Sequence, residues 1–361
     1  TTLYANWTYT GGSGVPVTPP TDPEEPVVKE EEIENEDGTI SSITETTVTK
    51  ENDDGSKETI VEKEEVVKDK DGNVQSVIEE KQSEVVNKDG STNKTSEKVV
   101  KDKDGKVIEE KTEIEIEDKN TGVSTSVEIT KGSDGKAAPE ITTQTSVETK
   151  DGKAQVSPEV LNEALKQAEA AKKAAEEKGA KDAKPVIEIE AENSEDFTET
   201  EISTEDLSKL AEAEVDVKIK TATGEVNIPP EVSKNLSSNA DEKVSLSFGE
   251  ADKQKLTEEQ KKTVGDAPVF EFNLKSGEKD IHDLGGTVKV TVPYELKAGE
   301  DPNKITVWYI DEEGNPVAMN SVYDPETKSI TFETSHFSYY FIAEDTSIPN
   351  DKKDDNNTIY Y

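Results

Sequence analysis

Three patterns of apolar residues follow one another along the chain. From Val27 to Val156 aliphatic residues recur as adjacent pairs: Ile60-Val61, Val66-Val67, Val77-Ile78, Val85-Val86, Val99-Val100 and Val107-Ile108. Neighbouring strand residues point to opposite faces, so each pair puts one aliphatic on either side and neither face becomes continuously apolar. The segments are rich in Val, Ile and Thr and are divided by acidic turns with Gly at positions 38, 55, 72, 90, 105, 122, 135 and 152, spaced 17, 17, 18, 15, 17, 13 and 17 residues apart. All are Asp-Gly except Asn120-Thr121-Gly122. Asp-Gly favours a hairpin because Gly supplies positive φ without strain. A period held over eight copies is an internal repeat. It predicts antiparallel strands of about 13 residues, roughly 43 Å long at ~3.3 Å per residue. A two-layer sandwich needs one greasy face on each sheet, and these strands lack it. The expectation is an extended single-layer meander, in which Lys and Glu face one another across strands and cover the aliphatics with their stems.

The second pattern has helical spacing. Ser157-Pro158-Glu159 offers an N-cap, a proline at the first helical position and an acid at the positive end of the dipole. Leu161, Leu165, Ala168, Ala171 and Ala175 then form a narrow stripe, and Gly179 supplies the stop. An alanine stripe suits close docking, so the helix reads as a spacer or cap of the repeat sheet.

In the third pattern the alternation is regular. Strands are expected at 186–190, 214–220, 243–248, 268–275, 286–294, 304–310, 329–333 and 336–343, with short helices at 204–211 and 257–263. Val288, Val290 and Val292 share a face, as do Ile305, Val307 and Tyr309, and the same spacing puts Phe337, Tyr339 and Phe341 together. The chain is thus expected to be mainly β: an extended antiparallel β-meander of hairpin repeats, one connecting helix, then a β-sandwich-like α+β module. In chain order the units are a strand at 1–9, a Gly/Pro linker at 10–26, acidic hairpin repeats at 27–156, a helical connector at 157–180, a β-rich module at 181–345 and a polar tether at 346–361.

Composition sharpens this map. Hydrophobic residues make up 30% of the 361 and charged residues 34%, against roughly 45–50% and about 25% in an ordinary soluble domain. The 2 Trp, 9 Tyr and 7 Phe all fall in the first nine residues or from Phe197 onward. Aromatics dominate compact cores, so the deficit of core-forming residues is concentrated in the repeats. The 82 acids against 42 bases, all of them Lys, give a net charge of -40. That balance excludes nucleic acid as a partner, because phosphate binding needs clustered cations. It also argues against an anionic membrane surface. With no Cys, disulfides, thiol nucleophiles and thiolate metal sites are excluded together. The opening Thr1-Thr2 reads as that of a mature or excised fragment.

Two stretches carry a family resemblance. Thr2, Leu3, Tyr4, Ala5 and Trp7 resemble the last strand of the Listeria-Bacteroides, or internalin-type B, repeat, which implies further repeats upstream. A longer stretch runs through Thr263–Phe270 (TVGDAPVF), Gly285–Tyr294 (GGTVKVTVPY), Lys297–Pro302 (KAGEDP), Val307–Asp311 (VWYID), Tyr323–Thr327 (YDPET) and Thr334–Tyr340 (TSHFSYY). It resembles a module that stands beside surface-layer homology or Ig-like repeats in secreted surface proteins. The resemblance implies an exported cell-envelope protein with a structural or binding module, and brings no catalytic residues with it.

The residues themselves offer little chemistry. The 2 His, His282 and His336, stand alone in sequence, without a nucleophile elbow or metal-ligand spacing, and read as structural. The turns Asn52–Gly55, Asp69–Asn73 and Asp102–Gly105 place Gly at the fourth position, where an EF-hand loop needs it at the sixth. No catalytic residue, cofactor or metal is expected. Sequons at Asn6, Asn93, Asn235 and Asn356 suit an exported chain. After the polar run 347–358 the sequence turns apolar at Ile359-Tyr360-Tyr361, as the start of a membrane anchor does.

The reading is a non-enzymatic cell-surface stalk that projects distal repeats from the cell envelope, anchored through a segment beyond this chain. Its partners would be the envelope or wall polymer. A rival reading is an adhesin binding host or neighbouring-cell glycan or protein through the C-terminal module, with Trp308, Tyr309, Tyr339 and Tyr340 as candidate contact aromatics. A third, a polysaccharide hydrolase, would need a cleft with a close pair of carboxylates.

Overall fold

The structure is a computed structural model that describes residues 25–132 and 136–347. The expected strand at 1–9, most of the linker, the Asp134-Gly135 turn and the tail from 348 lie outside the described residues. Eight strands come first: β1 (Val27–Glu34), β2 (Ile40–Glu51), β3 (Lys57–Lys68), β4 (Val74–Val86), β5 (Thr92–Asp102), β6 (Val107–Glu117), β7 (Ser124–Lys131) and β8 (Ala137–Lys150). Each pairs antiparallel with the next. Then come β9 (Lys153–Gln155), α1 (Pro158–Glu177), β10 (Pro185–Glu192), β11 (Glu199–Ser203), α2 (Thr204–Glu212), β12 (Asp216–Thr221), β13 (Gly224–Ile228), α3 (Pro230–Asn239) and β14 (Lys243–Glu250). The chain continues through α4 (Glu258–Val264), β15 (Val269–Ser276), β16 (Lys279–Asp280), β17 (Asp283–Pro293), β18 (Ile305–Ile310), β19 (Pro316–Ala318), β20 (Ser321–Asp324), β21 (Ser329–His336) and β22 (Tyr339–Glu344). The fold is mainly β.

The meander is set by its turns. At Asn35, Asn52, Asp69, Asn87 and Asp102 the backbone N–H donates to the carbonyl four residues on at 2.8–2.9 Å, and the Gly in fourth place donates back at 2.7–3.0 Å. Those glycines have φ between +78° and +89°. This is the three-residue hairpin loop, a type I turn closed by a left-handed residue. Its fixed length holds the register of every pair from β1 to β6.

The repeat sheet is one layer thick as far as β5; in β6, Ile114 packs against Ala171 and Ala175 of the long helix that follows β9. The first buried aliphatic is Ile114 in β6, and Val27 and Val28 of the edge strand are both 56% exposed. On one face Lys29, Glu45, Lys63, Glu80, Lys98 and Lys111 stand directly opposite one another across six strands. Ion pairs link Lys29 to Glu45 at 3.3 Å, Lys63 to Glu80 at 3.4 Å and Lys98 to Glu80 at 3.8 Å. The other face carries Glu62 with Lys81 at 2.9 Å. Single exposed pairs contribute only about 0–1 kcal/mol each. The ladder's larger effect is to lay aliphatic stems over Val and Ile that no second layer covers.

From β6 onward the same sheet becomes one wall of a layered body. It continues β7-β8-β10-β12-β13-β17-β21-β20, with β8, β10 and β12 parallel and the remainder antiparallel. A second sheet runs β9-β11-β14-β15-β22-β18-β19, joined to the first where the end of β8 pairs with β9. The main core lies between the sheets and joins Val123 and Val156 to Ile187, Val217, Phe248, Phe272, Val290, Phe332 and Tyr340.

Helix α1 closes one face over β7, β8 and β10. Ser157 Oγ accepts from the Val160 N–H at 3.2 Å. At the other end Gly179 and Ala180 donate back to Glu176 and Ala175, the Schellman pattern that a positive-φ Gly permits. Leu161, Ala164, Ala168, Ala171 and Ala175 are all buried. Gln167 accepts from Thr125 at 2.9 Å, and Thr125 in turn bonds Thr143, so one buried polar chain fixes the helix against two strands. Lys178 pairs with Glu97 of β5, carrying the helix end toward the open sheet.

The expected strand at 336–343 is divided. β21 belongs to the first sheet and β22 to the second, and Phe337-Ser338 crosses between them. The crossing resets the alternation, which corrects the expected common face of Phe337, Tyr339 and Phe341. Phe337 enters the main core beside Tyr340, whereas Tyr339 and Phe341 join a smaller cluster under α4. Helix α3 is absent from the expected elements; Pro229 and Pro230 sit at its N-cap and first turn, where proline is tolerated.

Candidate functional site

The inter-sheet crossing leaves a cleft of about 1110 Å³. It forms because β15 pairs with β22 only from Val269 to Glu271, and beyond that point the β15–β16 hairpin diverges from the start of β22. Both histidines line it. Asp283 pairs with His336 across the first sheet, and the Phe337 N–H donates to the His282 carbonyl at 3.3 Å. Two residues that stand alone in sequence are therefore neighbours on one wall. Burial, and then the proximity of His282, holds the His336 imidazole below its ordinary value, so it is neutral at pH 7.

The four candidate aromatics separate. Tyr309 lines the cleft, its ring 4.6 Å from that of His336 and nearly perpendicular to it at 87°. Tyr339 also lines the cleft, opposite Glu271 in the pairing of β15 with β22; burial and then the Glu271 carboxylate push its phenol up. Tyr340 is 1% exposed and lies behind the wall. Its hydroxyl donates to the His336 carbonyl at 2.6 Å and bonds Thr334 Oγ1 at 2.7 Å, and burial raises its pKa. Tyr340 is thus a core residue that fixes the histidine strand end. Trp308 is on the opposite face of β18, stacked on Phe341 at 6.3 Å and 16°, and packed against the cluster of Leu256, Val264 and Ile310. Its indole Nε1 is buried and has no hydrogen-bond partner among the described residues. In the pairing of β18 with β22, Tyr309 stands opposite Tyr340 and Trp308 opposite Phe341, so Tyr309 and Tyr339 border the cleft from opposite faces of the second sheet.

The cleft also holds charge. Glu271, Glu312 and Glu313 line it and form no ion pair among the described residues. Asp311 and the two glutamates that come after it, second to burial, push the Tyr309 phenol up. The lysines on the rim are Lys255 and Lys275, the latter 3.9 Å from Asp280. Glu312 and Glu313 are presented by a further three-residue loop, Asp311–Asn315, closed by bonds of 3.2 and 3.1 Å with Gly314 at φ +83°.

Sequence reasoning weighed each histidine by itself and so missed the pair. Only the juxtaposition of β16–β17 with the β21–β22 crossing reveals it. Among the described residues no group of three or more His, Cys, Asp or Glu is placed to hold a metal ion, and no helix is long and apolar enough to cross a membrane. A shallower hollow of about 500 Å³ lies on the open sheet among Thr44, Glu62, Glu79 and Glu97.

The sequence matches no family model and no curated protein. Among solved structures it is similar to a β-barrel-like protein of the domain of unknown function DUF1849 from Brucella abortus. The identity is 8%, over 88% of this chain and 96% of that one, and the TM-score is 0.22. A likeness that low carries no argument about fold or function.

Proposed function

We propose that the protein is a non-enzymatic structural spacer of a cell surface, holding chain on the N-terminal side of β1 away from chain on the C-terminal side of β22. One observation carries the reading: a sheet with neither face covered from β1 to β5 is continuous in hydrogen bonding with the wall of a layered body. Five strand spacings from β1 to β6, the first covered strand, at ~4.8 Å give a projection of about 24 Å. No core is needed to build it. The charged ladders keep both faces soluble and oppose stacking of one sheet on another. The resemblance of the C-terminal stretch to modules of secreted surface proteins supports the same setting, an extracellular one in contact with envelope or wall polymer.

The test exploits the repeat. The loops Asn52–Ser56 and Asn87–Ser91 have the same form, so deleting residues 53–87 joins β2 to β5 through an intact loop of the same type. With spin labels at Val28→Cys and Ser347→Cys in a chain that has no other Cys, the label separation should shorten by about two strand spacings, roughly 10 Å. An unchanged separation would overturn the spacer reading.

A second reading is favoured by the cleft: the layered body binds a ligand there, as an adhesin module would, with Tyr309 in contact beside His336. Titration of the full chain with candidate ligands, followed through the side-chain resonances of Tyr309 and His336, tests it; silence from both residues toward every ligand class would remove it.

A further inference from the structure

We propose that the free edge of β1 is a self-association surface, on which a second copy of this chain adds its own β1 antiparallel about a two-fold axis at Glu30. This contact is independent of the cleft, and it adds a lateral partner to the spacer reading.

Length, backbone and charge point to this occupant. Among the described strands that pair on one side only, β1 has 8 residues, whereas β16, β19 and β20 have 2, 3 and 4. A long edge is a template for a further strand, and every residue of β1 is exposed. The Asn35 N–H closes the β1–β2 loop onto Thr39, and hydrogen-bonded pairs alternate from there. Val28, Glu30, Glu32 and Glu34 therefore direct their N–H and C=O groups outward. With Glu30 on the axis, Val27 of each copy stands opposite Ile33 of the other, and Lys29 opposite Glu31. These are non-hydrogen-bonded pairs, in which side chains approach closest. The row Lys29, Glu45, Lys63, Glu80 then gains an acid at its open end. Residues that meet across a two-fold axis share a face, so the axis moves one residue at a time along the strand and the register changes by two. With Glu31 on the axis, Glu31 meets itself and Lys29 meets Ile33; with Lys29 on the axis, Lys29 meets itself. Only the Glu30 axis matches both charges and aliphatics. Glu30 then meets its own copy, and one strand edge is smaller than a standard interface of roughly 1,200–2,000 Å², so the association is weak.

The experiment follows the full chain by sedimentation at ~0.15 M salt, where charge is screened beyond about 8 Å. Protein is taken up to about 1 mM, a concentration that registers even millimolar affinity. The wild type should pass from monomer to dimer. Glu32→Pro removes an outward N–H and leaves the β1–β2 pairing intact, and should abolish the dimer. Lys29→Glu replaces two attractions with two repulsions and should weaken it roughly tenfold or more. Adding Glu31→Lys to that variant should restore it, which separates loss of contact from loss of fold, and Glu30→Gln alone should tighten it. The chain has no Cys, so Glu30→Cys should give a disulfide-linked dimer, its Cα atoms ~5.5 Å apart across the axis, and Glu34→Cys should not. A chain that stays monomeric, a dimer indifferent to Glu32→Pro, or cross-linking through Glu34→Cys as fast as through Glu30→Cys would each overturn the proposal. Protection of the Val28, Glu30 and Glu32 amides in a chain that stays monomeric would assign the edge to an occupant within the chain, and would overturn it as well.

Discussion

The open sheet and the layered body use the same strands in two ways. In β3 and β4 aliphatics come in adjacent pairs, both half-exposed, and charged neighbours shield them from either side. In β17 Val288, Val290 and Val292 alternate with polar residues, and all three are buried. One arrangement divides its aliphatics between both faces and never forms a core; the other collects them on one face and must meet a second layer. The difference shows that pairing pattern, more than total hydrophobicity, decides whether a sheet stays single. It also places the energetics. Stability in the body rests on burial, and in the open sheet on backbone pairing, turn geometry and many weak side-chain contacts.

The largest effect should come from the body. Phe272 is 2% exposed and packs against the rings of Phe248, Phe332, Phe337 and Tyr340 at 5.5–6.1 Å. Phe272→Ala should cost about 3–5 kcal/mol, read as a lower midpoint in denaturant melts of the body. Val100→Ala in β5 should cost well under ~1.5 kcal/mol, since little surface is removed from water there. A comparable loss from Val100→Ala would break the comparison, because it would mean that the open sheet has a core.

Turn strain should come next. Gly72 has φ +85° with open space where a Cβ would go, so Gly72→Ala meets backbone strain and no clash. The cost should be about 1–2 kcal/mol and local, seen as faster amide exchange in β3 and β4 with no change in the body. The crossing supplies a pH dependence. With the His336 pKa held below its ordinary value of 6.5, the unfolded chain takes up a proton that the folded chain resists. The associated stability is therefore present above about pH 6.5 and lost as the pH falls from there through the lower folded-state value. Between pH 7.5 and 5 the wild type should lose melting temperature relative to His336→Gln; a constant gap would contradict the buried neutral imidazole. Smallest of all, Glu80→Gln removes the partner of Lys63 and Lys98 and should shift stability by about 0.2–1 kcal/mol, with the difference vanishing in high salt.

Local signals carried much of the architecture. Asp-Gly spacing marked the hairpins, paired aliphatics marked the single layer, and Ser157-Pro158 with Gly179 bounded α1, because each depends on a few neighbouring residues. The rest depended on contacts between distant ones. Nothing in Thr334–Phe341 marks a break, so the parity change that buries Tyr340 in the main core and puts Tyr339 with Phe341 under α4 was illegible. The division of the four aromatics resulted from it. Likewise His282 and His336 become a pair only through the crossing of two sheets, and Gln167 reads as an ordinary polar helix residue until Thr125 and Thr143 are placed beneath it.

Residue-resolved amide hydrogen exchange on the full chain tests most directly whether β1–β5 is an ordered sheet without a core. Hydrogen-bonded amides of β2 through β5 should be protected in the register Ile40–Glu51 against Lys57–Lys68 and onward. Their opening free energies should lie below those of β15, β17 and β22 in the body. Exchange at random-coil rates across β2–β5 would contradict the account, as would protection there equal to that of the body.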